Sequence, residues 1–374
     1  MVNRRRRKTE THDEDYYLAS QWQLVWRKFH RHKLALFGCA IVGLLYLLAI
    51  CAEFFAVNDY RERFANSASS PPTGIHFVDR TGRFHLRPFV YATTQTLDME
   101  TMQRVYEEDT SILYPIQFFK RGAPYEMWGL FESDLHIVGV DEPARLFLFG
   151  TDEFGRDVYS RTIHASRISL SIGFIGVMIS FVLGCIIGGI SGYFGGITDL
   201  IIQRVIEFII SIPTIPLWIA LAAALPPDWT SIQVYFGITI VLATVGWTTL
   251  ARTVRGKLLE LREADFVMAA RISNMSDFNI IIKHLLPSFA SYLIVTLTLA
   301  IPGMILGETA LSFLEIGIRP PAVSWGVLLQ DAQNIRALAQ SPWLLIPAVF
   351  VIITVLCFNF VGDGLRDAAD PYKA

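Results

Sequence analysis

The side chains of this chain that could carry chemistry are few, and none of them forms a known catalytic motif. The sequence contains no Gly-x-x-x-x-Gly-Lys-Ser/Thr phosphate-binding loop, no His-Glu-x-x-His zinc motif, no Gly-x-Ser-x-Gly nucleophile turn and no Cys-x-x-Cys pair. The cysteines lie in or at the ends of apolar segments, where they are expected to act as small apolar residues; they are Cys39, Cys51, Cys185 and Cys357. We therefore expect no catalytic site, no metal and no cofactor on this chain.

Ionisable side chains within apolar segments are the next candidates. A charged group costs free energy inside a membrane, so one that is found there commonly has a function. Arg204 and Glu207 stand three residues apart, so they can pair on one helix face. Together with Asp199 they lie near one end of their segment, and structural pairing is favoured there over contact with a solute. Glu308, which closes a short apolar run, is a candidate gate residue.

Two prolines interrupt the apolar segment at residues 197–225. Pro213 and Pro216 cannot donate backbone hydrogen bonds, and a broken helix is tolerated inside a membrane where it lines a cavity or packs on protein. The stretch from Ser211 to Trp218 is therefore the predicted lining of a solute pathway.

A charged island at residues 262–287 separates two long apolar runs. Its pattern predicts two short amphipathic helices. Asn274 tolerates the left-handed backbone of a helix break, and Ser276 can cap a second helix that begins at Asp277. Leu-Pro at 286–287 closes the island. Such a compact loop between membrane segments indicates a docking site for another protein.

The first of these two helices has a face suited to a partner. Phe266, Ala269 and Ala270 fall at i, i+3 and i+4 and are predicted to share that face. The small alanines would let the surface of a partner come close.

These residues must be positioned by a bundle of membrane helices. Of the 374 residues, 52% are apolar and 18% charged, and the mean hydropathy of +0.41 is high for a soluble protein. Six segments approach or exceed the ~20 apolar residues that span a bilayer. They are residues 34–57, 168–190, 197–225, 232–250, 289–306 and 343–361.

Basic residues predict the orientation. Residues 4–8 and 27–33 are rich in arginine and lysine and precede the first segment, so the N-terminus is expected in the cytosol. The first apolar run is too long for a cleavable signal peptide and lacks a small-x-small cleavage site. Six spans return the C-terminus to the cytosol and place residues 262–287 there too.

The predicted organisation has five parts. Residues 58–167 alternate turn signals with short aromatic runs, which is typical of a small strand-rich subdomain outside the cytosol. The parts are a basic cytosolic segment at 1–33, the first span at 34–57, this insert at 58–167, a five-helix core at 168–361 with a cytosolic loop at 251–287, and a cytosolic tail at 362–374.

Three ordered blocks carry a family resemblance. Residues 150–158 read GTDEFGRDV, residues 359–367 read NFVGDGLRD, and Met268, Ala269, Ala270, Asn274 and Pro287 follow a Glu-Ala-Ala…Gly…Leu-Pro pattern. Together they resemble the permease subunits of the dipeptide/oligopeptide/nickel class of bacterial ABC importers. Met268 stands where that family usually has Glu, and Asn274 where it usually has Gly.

The resemblance implies a fold and a function. The fold would be an all-α membrane protein with six transmembrane helices of the type I ABC importer kind, with a strand-containing extracytoplasmic insert between helices 1 and 2. The chain would be a permease subunit without an ATPase site in a bacterial inner membrane, passing di- or oligopeptides. Its partners would be a second homologous permease, two ATP-binding subunits that hold ATP and Mg, and an extracytoplasmic substrate-binding protein, with no role for nucleic acid.

The same resemblance implies where the ATPases would dock. The coupling residues would be Asp265, Phe266, Met268, Ala269, Ala270, Asn274 and Pro287. Nickel, opines, antibiotic peptides or oligosaccharides are alternative substrates within the class. A secondary transporter is the alternative from another class, but it would show paired broken helices in both halves, and here only the third span has a strong break. A membrane-embedded enzyme would need convergent His, Asp or Glu side chains within the bilayer.

Overall fold

The structure, a computed structural model, describes residues 21–97, 99 and 104–370. The basic run at 4–8, the rest of residues 1–20 of the predicted N-terminal segment, and residues 371–374 of the predicted tail lie outside the described residues. The helices are α1 Gln21–Phe29, α2 Lys33–Ile50, α3 Ala52–Phe55, α4 Val158–Phe194, α5 Gly196–Ser211, α6 Thr214–Ala223, α7 Ser231–Leu261, α8 Asp265–Ile272, α9 Asp277–Ile280, α10 Leu286–Ser288, α11 Ala290–Phe313, α12 Trp325–Gln330, α13 Ile335–Gln340 and α14 Ile346–Ala369. The strands are β1 His76–Val78, β2 Phe84–Leu97, β3 Arg104–Pro115, β4 Gln117–Met127 and β5 Phe131–Gly139.

Five of the six predicted spans are single helices, and the third is a bent pair of helices that makes a sixth span if the pair is counted as one. Within the described part of the chain, α2, α4, α7, α11 and the segment Pro342–Ala369 are long and apolar enough to cross a membrane. The helices α5 and α6 pass the same test only as a pair, and they meet at 88°. The break falls at Ile212–Pro213, as the prolines predict.

Glycines line the contact between helices α4 and α7 and allow a close approach. A Cβ added to Gly188 would lie 2.4 Å from the carbonyl oxygen of Ala251, and one on Gly192 would lie 2.8 Å from that of Arg255. Gly184 faces the side chain of Leu250 equally closely. The small residues at the end of the second span therefore make a close helix–helix contact.

In sequence, Gly362 and Gly364 at the end of the sixth span are typical of a helix stop, and this expectation is wrong. Helix α14 continues through Gly362 and Gly364 to Ala369, and part of the predicted tail is therefore helical. A Cβ on Gly362 would meet Leu299 at 2.3 Å, and one on Gly364 would meet Ala35 at 2.2 Å. These glycines allow neighbouring helices to approach and do not act as caps.

Other helix bounds also differ from the prediction. The first span ends at Ile50, not at residue 57, and the short helix α3 follows a break at Cys51. The second begins at Val158, ten residues earlier than predicted, because Asp157 caps it. At 37 residues, α4 is ~55 Å long and exceeds the ~30 Å hydrocarbon layer.

The segment between the first two spans is strand-rich, as predicted. An antiparallel sheet of order β1-β2-β3 and a separate β4–β5 hairpin make up this insert. A small apolar core around Val90, Ile116 and Leu146 joins the two. Arg121 and Gly122, one of the turn signals of this segment in sequence, lie inside β4 where its register shifts.

Candidate functional site

The break in the 262–287 loop has the geometry that its sequence predicts. Asn274 has φ +56, the left-handed backbone that asparagine tolerates better than most residues. The Met275 amide donates to the Ala270 carbonyl at 3.2 Å, and the Asn274 amide donates to the Arg271 carbonyl at 3.0 Å. These two bonds form a Schellman motif, so local hydrogen bonding ends α8 at Ile272.

The second short helix begins where predicted, but its cap is different. Ser276 takes the extended N-cap backbone before Asp277, yet its side chain makes no capping bond. The Ser276 hydroxyl instead accepts a bond of 2.9 Å from the Asn279 amide. Helix α9 then runs through a π-helical turn at Ile281–Leu285 into α10, where Pro287 is exposed.

One side of this loop is packed firmly against the membrane helices. Val267, Ile280 and Leu285 have no exposed surface and join an apolar cluster with Val254 and Leu258 of α7. The loop is thus a folded part of the bundle end.

The opposite side of α8 is apolar and exposed. Phe266 is 42% exposed, Met268 47% and Ile272 85%, while Asp265 and Ala269 are also exposed. On a water-facing surface, a group of exposed apolar side chains such as this one usually marks a site that a partner covers.

The shared face predicted for Phe266, Ala269 and Ala270 is divided in the structure. Ala270 is 7% exposed and packs inward with Val267, whereas Phe266 and Ala269 face outward. The i, i+4 spacing puts Ala270 close to Phe266 on the helix surface. The buried face of α8, however, is centred on Val267, and Ala270 belongs to that face.

Polar contacts fasten the loop to the second span and join the third span to the fourth. The Tyr193 hydroxyl of α4 donates to Asp277 Oδ1 at 2.6 Å and accepts from Arg271 Nε at 3.3 Å. Asp199 of α5 accepts two bonds of 2.5 Å from the Arg255 guanidinium of α7. The predicted pair of Arg204 and Glu207 forms at 2.7 Å on the surface.

The predicted pathway residues are brought together only in part. Ser211 and Pro213 are exposed at the α5–α6 break. Trp218 packs its ring on Gly307, and its buried indole nitrogen has no hydrogen-bond partner among the described residues. Glu308, the neighbour of Gly307, is fully buried.

The carboxylate of Glu308 is held by serines that sequence reasoning missed. Ser169 of α4 donates to Oε2 at 3.1 Å, and Ser312 donates to Oε1 at 2.7 Å. The Ser169 hydroxyl also accepts from the backbone amide of Trp325 at 3.1 Å. Glu308 therefore joins α4, α11 and the start of α12, and no sequence spacing could have shown this, because Ser169 lies 139 residues away.

Residues 150–158, whose charges alternate around Gly155, form a salt-bridged turn. Asp152 is 1% exposed and pairs with Arg156 at 2.6 Å and with Arg161. Asp331, which follows α12, lies 3.8 Å from Arg156. The cluster therefore ties the start of α4 to the segment between the last two spans.

Asp157 caps α4 from within the same turn. It accepts from the Tyr159 amide at 3.1 Å, from the Ser160 hydroxyl at 2.6 Å and from the Asn58 side chain at 3.1 Å. Burial raises the pKa of Asp157 to about 6, although these hydrogen bonds act in the opposite direction.

Comparison with protein families gives two matches. Residues 180–373 match the family described as binding-protein-dependent transport system inner membrane component. Residues 20–72 match the N-terminal transmembrane domain of oligopeptide transport permease C.

Several curated proteins are similar over most of their own length. The oligopeptide transport system permease protein OppC of Haemophilus influenzae is 44% identical over 224 residues, which cover 60% of this chain and 70% of that protein. The dipeptide transport system permease protein DppC of Bacillus subtilis is 40% identical over 61% of this chain and 70% of its own. A putative peptide permease of Brucella suis is 36% identical over 70% and 84%. Among solved structures, the inward-facing MetNI methionine ABC transporter is 19% identical, with a TM-score of 0.44 over 55% of this chain and 95% of that one.

Proposed function

Because this chain belongs to the family of inner membrane components of binding-protein-dependent transport systems, we propose that it is the permease subunit of an importer for di- or oligopeptides. A second homologous permease would share the pathway, and an extracytoplasmic binding protein would deliver the peptide. The names of the relatives support the substrate, since they are oligopeptide, dipeptide and peptide permeases. Nickel, opines, antibiotic peptides and oligosaccharides remain alternatives within the class.

The energy would come from two separate ATP-binding subunits. The sequence has no phosphate-binding loop, so ATP and Mg would be held by those partners. The observation that carries this proposal is the two-sided packing of α8. Val267 anchors one side to the spans, and Phe266 and Met268 expose the other. A moving partner on the exposed side would therefore pull on α7 through the buried side.

Basic residues near the loop support a cytosolic position for it. Arg252, Arg255, Lys257, Arg262, Arg271 and Lys283 cluster at this end of the bundle. The insert follows the first span and would lie on the other side of the membrane, where the binding protein docks. Both termini would then be cytosolic.

The pathway would run beside the α5–α6 break. Ser211 and Pro213 are exposed there, and among the described residues the buried Trp218 indole nitrogen behind them has no hydrogen-bond partner. Glu308 would act on the gate by locking α4, α11 and α12 together. The variant Glu308→Ala removes the bonds to both serines, so loss of transport with an intact complex would support a gating role. Normal transport would argue against it.

Substitution on the exposed side of α8 tests the coupling assignment. Phe266→Glu places a charge in the proposed interface, and losing a central aromatic contact costs about 2 kcal/mol, roughly 30-fold in affinity. The variant is expected to lose copurification with the ATP-binding subunits and to lose ATP-driven uptake. Leu86→Glu, at a 92% exposed position in the insert, is the matched control and should keep the ATPases bound. Full copurification and uptake by Phe266→Glu would sink the assignment.

A further inference from the structure

The tip of the β4–β5 hairpin carries an exposed apolar group that the transport function does not explain. Trp128 is 57% exposed, Leu130 76% and Phe131 69%. Trp128 and Gly129 have φ of +58 and +67, which makes a tight hairpin turn of the primed kind. Asparagine or glycine is the usual residue at the first position, so the turn itself gives no reason for a bulky tryptophan there.

The tip is tied to the end of the first membrane span. The Trp128 indole donates to the Ile50 carbonyl at 3.0 Å, and the Arg167 guanidinium lies 4.4 Å above the centre of its ring. Ile50 is the last residue of α2, whose 18 residues span ~27 Å, close to the thickness of the hydrocarbon layer. The contact therefore places the tip at the boundary of the lipid.

The rest of the hairpin shows that its tip points back towards the membrane. Nearer its base, His136 Nδ1 lies 2.9 Å from the Ala56 carbonyl, beyond the end of α2. Beside the His136 contact, the rings of Phe119 and Phe54 lie 6.3 Å apart. The hairpin thus runs from Ala56 back to Ile50, against the direction in which the chain leaves the span.

Charge limits the depth that the tip can reach. Glu126 and Glu132 face each other across the strands, one residue pair further from the tip than Met127 and Phe131. Carboxylates are costly in hydrocarbon, so only the turn and Phe131 can enter an apolar layer. The apolar surface continues onto the span, where Ile50 is itself 50% exposed.

We propose that Trp128, Leu130 and Phe131 insert into the boundary between headgroups and acyl chains of the leaflet on the insert's side, and so hold the insert against the bilayer. Tryptophan prefers this layer because its ring is apolar and its N–H is polar. Here the N–H is already bound to Ile50 and Arg167 covers one face of the ring, which leaves the exposed part of the ring, Leu130 and Phe131 to face lipid. The proposal does not depend on which solute is transported.

Spin labels can measure the depth of the tip in the assembled transporter. A background with the four native cysteines replaced, and with uptake retained, would carry Leu130→Cys or Phe131→Cys with a nitroxide label in liposomes. Leu97→Cys is the control, because Leu97 is 49% exposed and pairs with Arg104, which binds the Ala68 carbonyl near the start of α4. That start lies nine residues before Arg167, ~13 Å further from the membrane.

The expected result is a severalfold higher ratio of oxygen to water-soluble nickel chelate collisions at 130 than at 97. An equal ratio, with free access of the nickel chelate, would place the tip in water and overturn the proposal. Low access to both reagents at 130 would also overturn it, because the tip would then be covered by protein. Phe131→Cys gives a second reading if labelled Leu130→Cys does not assemble.

Discussion

The hydroxyl of Tyr193 donates to the carboxylate of Asp277 at 2.6 Å, which joins the end of the second span to the second half of the 262–287 loop. The same hydroxyl accepts from Arg271 on the first half, and the Arg271 guanidinium lies 5.1 Å from the centre of the Tyr193 ring. Both halves of the loop thus meet at one side chain of α4. Tyr193 is therefore a candidate for transmitting movement of the loop to the helix bundle. It lies outside the sequence patterns that identified the loop as a docking site.

Replacing Tyr193 with phenylalanine should leave binding of the ATPases intact but impair transport. The ring keeps its packing, but Asp277 and Arg271 lose a shared partner, at a cost of about 1–3 kcal/mol in holding the loop. We expect the complex to form with uptake reduced relative to ATP hydrolysis, measured in liposomes. Ser273→Ala, which removes only a hydroxyl bonded within α8, is the control and should behave as wild type. An unchanged ratio of uptake to hydrolysis in Tyr193→Phe would contradict this role.

The backbone at Asn274 predicts opposite effects for two substitutions. Asn274→Gly suits φ +56 and should leave the thermal midpoint near that of wild type or above it. Asn274→Val forces a β-branched residue into the left-handed region and should destabilise the loop by about 1–2 kcal/mol. Thermal unfolding of the detergent-solubilised protein measures both. Equal midpoints for Gly and Val would show that the break does not need this conformation.

The α4–α7 contact predicts that Gly188 cannot accept a methyl group. In Gly188→Ala the new Cβ would approach the Ala251 carbonyl oxygen to 2.4 Å, so the helices must move apart at a cost of about 1–3 kcal/mol. Gly256→Ala on α7 is the matched control, since nothing lies within 4 Å of a Cβ there. The control should be neutral or stabilising, because alanine favours helix. A Gly188→Ala protein as stable as the control would rule out the close contact.

The buried cap Asp157 predicts a pH dependence of stability. Its pKa of about 6 in the folded protein lies above that of the unfolded chain, so the folded state takes up a proton first as the pH falls. The stabilisation that comes from this proton uptake is greatest at pH values below the pKa of Asp157 in the unfolded chain, and it is lost as the pH rises through 6. Between pH 7 and pH 5 wild type should gain about 1 kcal/mol relative to Asp157→Asn, which caps a helix without titrating.

Thermal midpoints of wild type and Asp157→Asn at pH 5, 6 and 7 test this, because other titrating groups are common to both proteins. The difference between the two midpoints should shift towards wild type as the pH falls. A difference that is constant with pH, or that shifts towards Asp157→Asn, would mean that burial does not control this carboxyl.

Sequence alone determined the features that depend on neighbours along the chain. The six apolar segments follow from their length, the 88° break from Pro213, and the end of α8 from the tolerance of Asn274 for a left-handed backbone. The salt-bridged turn at Asp152 and Arg156 belongs here too, since its partners lie four residues apart. In each case the bonds that set the geometry close within a few residues, so the local pattern is sufficient.

Only the tertiary structure decided which face each residue turns inward. Gly362 and Gly364 resemble helix stops in sequence, but the close approach of Leu299 and Ala35 makes them contact points inside a continuing helix. Glu308 resembles an isolated charge until Ser169 of another span reaches it. The tip at Trp128 acquires a membrane position only through the Ile50 carbonyl, 78 residues away in sequence. These outcomes depend on packing between distant segments, whose free energy is shared among many contacts and leaves no local pattern in the sequence.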